Sequence, residues 1–406
     1  MFLKRGSLLL AASFGSFFSL TTARADMVES VSTTIHHSYQ SHRALGMGDA
    51  FVAVADDYSS IFYNPAGLAR RESGQVNLSL GLEGTPGAKD FYDEYQEIEE
   101  SNQTDQQKQQ AYLEMIERHY GDVYSLRLTP LEGVWVRPKW GIAFIPADVS
   151  VEIQNHKTVG PSMYTTVYAD TTLALSYGDD IRAVDHGRLS WGITGKFVNR
   201  GFYSKILSAV DLAASDEIVK KEDMLEGYTI DADLGLLWTP EVPATGFLSF
   251  FQYLRPTIGL VARNIAETGF NNSLKLIKKD ENATVDEKKI YGTPEKNYRV
   301  LDVGSRFEFP RAWIFGGRFV MDVRDIGHPS WSLVKGSHAG VEFDWTVYSW
   351  WKGHYRAGFS QGFWTAGLSA ELGIFNLDVV SYANNVGTIN TPIESRVYAT
   401  RLNLDF

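Results

Sequence analysis

The chain reads as an all-β transmembrane protein: an antiparallel outer-membrane β-barrel of about 14 strands, with an N-terminal luminal hatch and short helices in its outer loops. Three observations predict this class. They are an export-type N terminus, period-two alternation from about residue 122 to the end, and an aromatic residue closing the last alternating run.

The N terminus comes first, because it sets the compartment. Lys4 and Arg5 precede an apolar run from Leu8 to about Leu20, and Ala23 and Ala25 flank Arg24. This pattern predicts an export signal over residues 1–25, cleaved before Asp26. The run is shorter than the roughly 20 residues a spanning helix requires, and no later stretch is apolar enough to span as a helix. The 406 residues include no cysteine, which excludes disulfide stapling and thiolate chemistry. Without Lys4, Arg5 and Arg24 the mature chain carries 49 acidic against 35 basic residues, so nucleic acid is not an expected partner.

Alternation is the main structural signal. In "GRLSWGITGKFVNR", Leu189, Trp191, Ile193 and Phe197 oppose Ser190, Thr194, Lys196 and Arg200. In "SHAGVEFDW", Ala339, Val341, Phe343 and Trp345 oppose His338, Gly340, Glu342 and Asp344. A soluble sandwich also alternates, but these runs have the length of a tilted bilayer strand, about 9 to 11 residues, and aromatic residues mark their ends. In lipid the backbone must pair with itself, which a sheet achieves only by closing. Runs at about 74–83, 122–137, 140–153, 163–177, 187–200, 227–239, 256–266, 298–309, 311–324, 337–346, 353–361, 364–374, 375–384 and 396–406 predict the strands. The long links 84–121, 201–226 and 267–297 share one parity, whereas "RPK", "FPR" and the break near Ile374 fall on the other. Long outer loops, short periplasmic turns and an even strand number follow. Inward positions carry both signs of charge, including Asp231, Asp233, Arg306, Glu308, Arg318, Asp322, Arg356 and Arg401, which suits a packed lumen holding a plug.

"YATRLNLDF" places Tyr398, Leu402, Leu404 and Phe406 on one face. It resembles the C-terminal signature read by the outer-membrane barrel assembly machinery of Gram-negative bacteria. The resemblance implies that machinery as a partner through Phe406, with outer-membrane lipid as the surroundings.

Residues 26–73 do not alternate, and their small, apolar character predicts a hatch packed inside the barrel formed by residues 74–406. In "DDYSSIFYNPAGLAR", Asp56 or Asp57 is expected to cap a short helix through Tyr58 to Phe62. Asn64 before Pro65 ends it, Pro65 begins the next turn, and Gly67 tolerates whatever dihedral follows. Together with "RALGMGDAFVAVA", this stretch resembles the N-terminal segment of the FadL superfamily. The superfamily includes long-chain fatty-acid and aromatic-hydrocarbon transporters and PorV-type barrels associated with a secretion system. The matching residues are Ala44, Leu45, Gly46, Met47, Gly48, Ala50, Phe51, Ala55, Asp56, Asp57, Asn64, Pro65, Ala66, Gly67 and Leu68, with Phe62 within the same segment. The resemblance implies a fourteen-stranded barrel plugged by a hatch. The form of the motif is nearer to the PorV-like branch.

In "WGIAFIPADVSVEIQN" the outward face moves from Ile142 and Phe144 to Val149, Val151 and Ile153, so one residue is inserted near Pro146. The Phe144, Pro146 and Asp148 region reads either as a rim bulge or, by the resemblance, as a lateral gate. In the first long loop, Phe91, Tyr95, Ile98, Tyr112 and Ile116 recur at helical spacing. These stripes either capture a hydrophobic ligand or pack the loop onto the barrel. No nucleophile elbow or zinc-type spacing occurs, so no enzyme activity, cofactor or metal is expected; His338, Glu342 and His354 read as a polar network. The functional expectation is passive transport of small hydrophobic molecules, long-chain fatty acids or similar, through a plugged barrel. The alternative is a PorV-like, non-transporting barrel that anchors or shuttles secreted or surface partner proteins.

Overall fold

A computed structural model of the chain describes residues 34–406, apart from 157–160, 182–186, 215–217, 221–222, 244, 278–291 and 388–391. The expected export signal lies outside the described residues. The first half of the barrel comprises β1 (Gln75–Gly84), β2 (Val123–Arg137), β3 (Trp140–His156), β4 (Ser162–Asp180), β5 (Gly187–Ser208), β6 (Leu225–Pro240) and β7 (Thr257–Arg263). The second half comprises β8 (Val300–Ala312), β9 (Phe315–Ile326), β10 (Ser337–Tyr348), β11 (Trp351–Ser360), β12 (Phe363–Leu372), β13 (Phe375–Asn385) and β14 (Glu394–Asp405). Each strand pairs antiparallel with its neighbours in sequence, and β1 closes on β14 in a register running from Asn77↔Asp405 to Gly84↔Tyr398.

Closure follows from which face each residue takes. On β1, Leu78, Leu80 and Leu82 are exposed, while Asn77, Ser79 and Glu83 between them are buried. On β14, Tyr398 and Leu402 face out, and Arg401 and Asn403 face in. The exterior is therefore an apolar band and the interior a polar one. Water would not tolerate so continuous an apolar surface on a monomer, but lipid does. No described helix is long and apolar enough to cross a membrane.

We call the end holding the short β2–β3 and β12–β13 connections the turn end, and the opposite end the loop end. At the loop end, β3 to β6 run on for 17, 19, 22 and 16 residues, well past the length that crosses a bilayer. Helices α3 (Ala88–Glu99), α4 (Asp105–Arg118) and α5 (Ala209–Ala213) sit on this extension; α1 and α2 lie in the hatch and are described below.

Strand β5 runs to Ser208, eight residues past the predicted 200, and two further boundaries differ for identifiable reasons. The β8–β9 turn falls at Trp313 and Ile314, not at Pro310 and Arg311. Pro310 lies in a register irregularity between Phe309 and Ala312, where the missing N–H costs no ladder bond. Trp313 takes φ 57° in the turn and is exposed, so it is not a strand residue. Strand β7 stops at Arg263, short of the predicted 266, because Asn264 and Glu267 both take φ 50° and lead the chain out of the ladder. Beyond that point the chain follows β6 through Ile265 N–H to Ala232 O (2.9 Å) and an isolated bridge between Asn271 and Tyr228.

The barrel has its core inside. Tyr39, Met47, Phe51, Val54, Ile61, Phe62, Tyr63 and Leu68 of the N-terminal segment pack on Val134, Val136, Ala143, Ile145, Ala174 and Val320 of the wall. A circle of inward-facing glycines lets the backbone of this segment lie against the strands. A Cβ on Gly340 would meet Met47 O at 2.3 Å, one on Gly192 the Pro65 carbonyl carbon at 2.3 Å, and one on Gly259 Val52 O at 2.6 Å. Gly358, on β11, would meet Gly48 N at 2.5 Å. Side chains of ordinary size at these positions would hold the hatch off the wall.

The seat can be tested by filling it. Gly340→Val sets backbone against side chain with nothing flexible to yield, a cost of at least about 1–3 kcal/mol. The variant is expected to keep the heat-modifiable gel mobility of a closed barrel while its conductance in planar bilayers rises above wild type. Unchanged conductance would show that the glycine circle does not hold the hatch.

Candidate functional site: the hatch and the cavity above it

The N-terminal segment enters from the loop end and descends through the lumen to β1. It runs as an arm (residues 34–41), α1 (His42–Gly46), a series of turns, α2 (Ser60–Tyr63) and a 3-10 turn at Pro65–Arg70. The capping expected from the paired aspartates takes another form. Helix α2 is shorter than predicted, and its first position has no side-chain cap. Asp57 Oδ1 instead accepts from Ser59 N (2.8 Å) and Ser59 Oγ (2.5 Å), an Asx turn that leads into the helix. Asp56 links the hatch to the wall, accepting from Arg43 Nη1 of its own segment (2.7 Å) and from Arg318 of β9.

Asn64 ends α2 in an extended conformation, and its Oδ1 accepts from Ala66 N (3.1 Å). Its Nδ2 donates to Val52 O (2.9 Å) and Leu236 O (3.0 Å), so one side chain ties two hatch segments to β6. Pro65 opens the 3-10 turn, as its fixed φ and missing N–H permit. Gly67 matters for clearance rather than for dihedral freedom: a Cβ there would lie 1.9 Å from Ala55 O.

Ion pairs fasten the hatch to the lumen. Arg43 donates bidentately to Glu342, Nε to Oε2 (2.9 Å) and Nη2 to Oε1 (2.8 Å), and also to Asp57 (2.8 Å). Arg356 Nε reaches the same Glu342 (2.7 Å), and Arg318 lies 3.3 Å from it. On the other side, Asp322 accepts from Phe51 N (2.6 Å) and Val52 N (2.8 Å), while Arg324 donates to Asp49 O (3.0 Å). Gly48 N donates to Thr365 Oγ1 (3.0 Å), and Thr365 in turn donates to Gly46 O (3.2 Å). Of the three residues read as one polar network, Glu342 and His354 lie together, Oε2 4.0 Å from Nδ1, and His338 stands apart. His338 meets Gly48 O (2.8 Å), Glu342 takes the arginines, and His354 pairs with Glu371 (3.2 Å). No cluster able to hold a metal occurs among the described residues.

Burial on its own would raise the Asp56 carboxyl, but the Arg43 and Arg318 guanidiniums outweigh it and hold the group well below the usual carboxylate range. Its contribution is therefore complete above the ordinary aspartate pKa and lost only as pH falls through the depressed one.

A cavity of about 340 Å³ lies above the hatch at the loop end. Its walls include Tyr164, Tyr168, Phe202, Tyr298, Arg200 and Arg263, and the arm enters it through His36 and His37. Smaller voids of about 70 and 80 Å³ flank the arm, one leading to Tyr39, Phe62 and Tyr63, the other to Arg127 and Tyr382. The His36 ring stacks on Tyr168, centroids 3.7 Å apart and planes 2° from parallel, and its Nε2 donates to Asp170 Oδ2 (3.0 Å). Burial first, and the neighbouring Arg200 cation second, lower the His36 pKa to about 4, so the ring is neutral at neutral pH. His37 Nε2 contacts Asp325 Oδ1 (3.1 Å). At the turn end a wider vestibule of about 710 Å³ is lined by Tyr253, Arg311, Arg318, Asp344, Lys352 and His354.

The expected outer-loop capture residues lie elsewhere. Phe91, Tyr95, Tyr112 and Ile116 are buried against Met115, Tyr124, Met163 and Leu212, with Ile98 packed on the cluster. They form the core that glues α3, α4 and α5 to the barrel extension, because the two stripes face each other and leave no open groove between them. At the inserted residue of β3, pairing with β4 jumps from Ile145↔Thr172 to Asp148↔Asp170. Phe144 points outward, and Asp148 points in, where it accepts from Arg127 Nε (2.9 Å) and Thr129 Oγ1 (3.1 Å). The Pro146 carbonyl accepts from Thr171 Oγ1 (2.8 Å), and β3 continues unbroken through the bulge. Sequence reading missed the His36–His37 arm; the adjacent histidines before the hatch motif were its one visible sign.

Closed strands, an apolar exterior and a seated inner segment define a plugged transmembrane β-barrel. No family model and no curated protein matches the sequence. Among solved structures, the fold is similar to a FadL homologue of Pseudomonas aeruginosa, with 9% identity over 92% of this chain and 98% of that one and a TM-score of 0.43. It is also similar to the monoaromatic hydrocarbon channel CymD (10%, 94% and 99%, TM-score 0.45) and to the toluene transporter TbuX of Ralstonia pickettii (10%, 89% and 97%, TM-score 0.42). Identities this low and TM-scores below 0.5 are likenesses of general architecture, so what the chain does has to come from its own hatch and cavity.

Arg43→Met leaves Asp57 and part of Asp56 and Glu342 uncompensated, and is expected to weaken hatch docking by about 3 kcal/mol. Protease cleavage within residues 42–70 at a lower urea concentration than in wild type would register it; identical profiles would contradict the latch. The arm should also respond to pH. Undocked His36 protonates near pH 6.5 and the docked ring only near 4, so docking is strongest above 6.5 and weakens as pH falls towards 4. A spin label on Thr34→Cys, the sole cysteine, should gain mobility over that range and lose the response in His36→Asn.

Proposed function

We propose that the chain is an outer-membrane channel for passive uptake of small hydrophobic molecules, with the loop end outside the cell and the turn end in the periplasm. The observation that carries this reading is the aromatic-walled cavity at the loop end, closed from below by the hatch and facing a second vestibule at the turn end. The cavity is concave and of ligand size, and its wall combines the aromatic rings with polar and charged side chains, among them Arg200, Arg263, Asn264, Lys296 and Asp325. The resemblance of residues 44–68 to the FadL superfamily hatch motif supports a plugged barrel, while the form of the motif, nearer to the PorV-like branch, does not favour transport over the alternative. A ligand enters at the cavity and leaves either past a displaced hatch or through the wall at the Pro146 bulge. The Phe406 backbone pairs with Val76 (both bonds 2.9 Å), and its ring is exposed on the apolar exterior, where the assembly machinery would read it.

One observation favours a second reading, a non-transporting barrel that anchors or shuttles a surface partner. The hatch is seated on backbone contacts and several ion pairs, so displacing it is costly. Uptake of labelled alkylaromatics and fatty acids separates the two, using cells with the protein, without it, with Pro146→Ala, and with residues 27–63 deleted. Transport predicts uptake that depends on the protein and changes in the variants. Equal uptake in all strains would refute it.

A further inference from the structure

At the turn end, one sector of the barrel departs from the rest. The β6–β7 connection is the longest at that end, and it folds into a 3-10 turn (Phe247–Phe250) and a helical turn, α6 (Phe251–Leu254), before β7 begins. Phe251 faces Phe307 on the lipid side of β8, ring centroids 6.5 Å apart, while Phe250 and Tyr253 are exposed. Trp313, in the β8–β9 turn, is exposed as well. These rings carry the apolar band of Phe309, Phe315 and Phe343 past the ends of the strands, to the level where aromatic side chains meet lipid headgroups.

The vestibule of about 710 Å³ lies beside them, and its lining takes in both faces of the wall. Arg318 and Lys352 belong to the lumen side and Phe309 to the lipid side. The wall between is thin, because β9 carries two glycines here: a Cβ on Gly316 would meet Asp344 Oδ1 at 2.6 Å, and one on Gly317 would meet Phe343 at 3.0 Å. The register irregularity at Pro310 interrupts the ladder next to them.

The vestibule's charges are of both signs. Arg255, Arg311 and Lys352 stand with Glu308 and Asp344. Arg255 follows α6 in a left-handed conformation (φ 40°) and has no ion-pair partner among the described residues. Arg311 pairs with Asp344, and Lys352 with Glu371 (2.8 Å), each through a half-exposed cation, and such pairs exchange partners cheaply. Glu308 reaches Arg306 only at 3.3 Å. A simple anion entering here would confront two carboxylates, and a simple cation three basic groups. A ligand with a phosphate and an ammonium a few bonds apart satisfies both sets.

From the shared lining, the mixed charges and the continuity with the lipid-facing band, we infer that the vestibule holds the headgroup of a zwitterionic phospholipid with a primary ammonium, of the phosphatidylethanolamine type. The phosphate lies on Arg255 and Arg311, and the ammonium on Glu308 and Asp344. Arg311 and Asp344 thus exchange each other for the two ends of one headgroup, and no buried charge is left alone. The acyl chains stay outside, over the stacked rings of Phe309 and Phe343 (centroids 6.5 Å apart). The inference goes beyond the uptake reading and shares only its orientation, which puts this lipid in the periplasmic leaflet. Basic pockets at a membrane surface are established headgroup sites, and the acidic residues beside this one add the selection for an ammonium.

Native mass spectrometry of the delipidated full chain in detergent tests this, with dioleoyl phosphatidylethanolamine, phosphatidylcholine, phosphatidylglycerol and dioleoylglycerol as probes. We expect the first phosphatidylethanolamine to bind about tenfold more tightly than phosphatidylcholine, whose ammonium has no N–H to donate, and more tightly than phosphatidylglycerol. Dioleoylglycerol should bind most weakly. Arg255→Gln with Arg311→Gln should erase the preference for phospholipid over dioleoylglycerol, and Glu308→Gln with Asp344→Asn the preference for ethanolamine over choline. Arg137→Gln with Lys139→Gln, the same charge change in the β2–β3 turn, should alter neither. All three double variants are expected to keep the heat-modifiable gel mobility of a closed barrel, since the changed residues lie at strand ends and turns. Phosphatidylethanolamine binding no tighter than dioleoylglycerol or phosphatidylglycerol overturns the inference, as does wild-type selectivity in either vestibule variant or an equal loss in the β2–β3 pair. Displacement of the lipid by inorganic phosphate at equal concentration would mark a free-anion site and overturn it too. The cell uptake assay decides the transport reading separately from each of these outcomes.

Discussion

Backbone lying against backbone inside a closed sheet is the constraint on which this molecule depends. Fourteen strands enclose a lumen only wide enough for one folded segment, and the segment fits because the wall presents glycine where the hatch approaches most closely. Without a Cβ, the strands at Gly192, Gly259 and Gly340 come within van der Waals reach of the Pro65, Val52 and Met47 main chains. The contact also fixes orientation. A hatch shifted by one residue would set its own side chains against the strands and move its carbonyls out of reach of the wall donors.

The charges in the lumen make sense on that seat. A buried carboxylate or guanidinium is costly unless paired, and the hatch charges Arg43, Asp49 and Asp56 are matched by Glu342, Arg324 and Arg318 of the wall. Arg43 joins Asp56 and Asp57 of its own segment to Glu342 of β10, and Arg318 and Arg356 complete the group from β9 and β11. Specific pairing of this kind stabilises one docked arrangement over others more than it stabilises the barrel, whose strands are held by their own ladders. Residues 41–70 are pinned to the wall, and the arm before them runs between two small voids while Tyr39 anchors it to the core.

Much of the fold was legible because it obeys period two. A strand with lipid on one side and a polar lumen on the other must alternate, so runs such as Leu189 to Phe197 disclose both their strand and their face. The parity of long and short links then yields the closure. Legibility failed where the period is not the deciding factor. The β8–β9 turn passed Pro310 because a bulge absorbed the proline, and β7 ended early because Asn264 and Glu267 turned out of the ladder. The loop stripes at Phe91 and Tyr112 were visible as amphipathic helices, but a stripe does not reveal what covers it, and here each covers the other.

Taken by itself, the sequence determined the closed barrel, the polar lumen, the presence of an inner plug around Asn64–Pro65 and the extra residue at Pro146. These are local properties: they depend on which neighbours along the chain are apolar, and on residues whose backbone preferences are intrinsic. Only the tertiary structure decided that Asp56 meets Arg318 of the wall, that Gly67 clears Ala55, and that the glycines of distant strands form one seat. It alone brought His36 onto Tyr168 and Asp170, residues 132 and 134 positions away. Contacts at such separations are set by closure of the whole sheet and by the depth to which the hatch descends, and no short stretch of sequence records either.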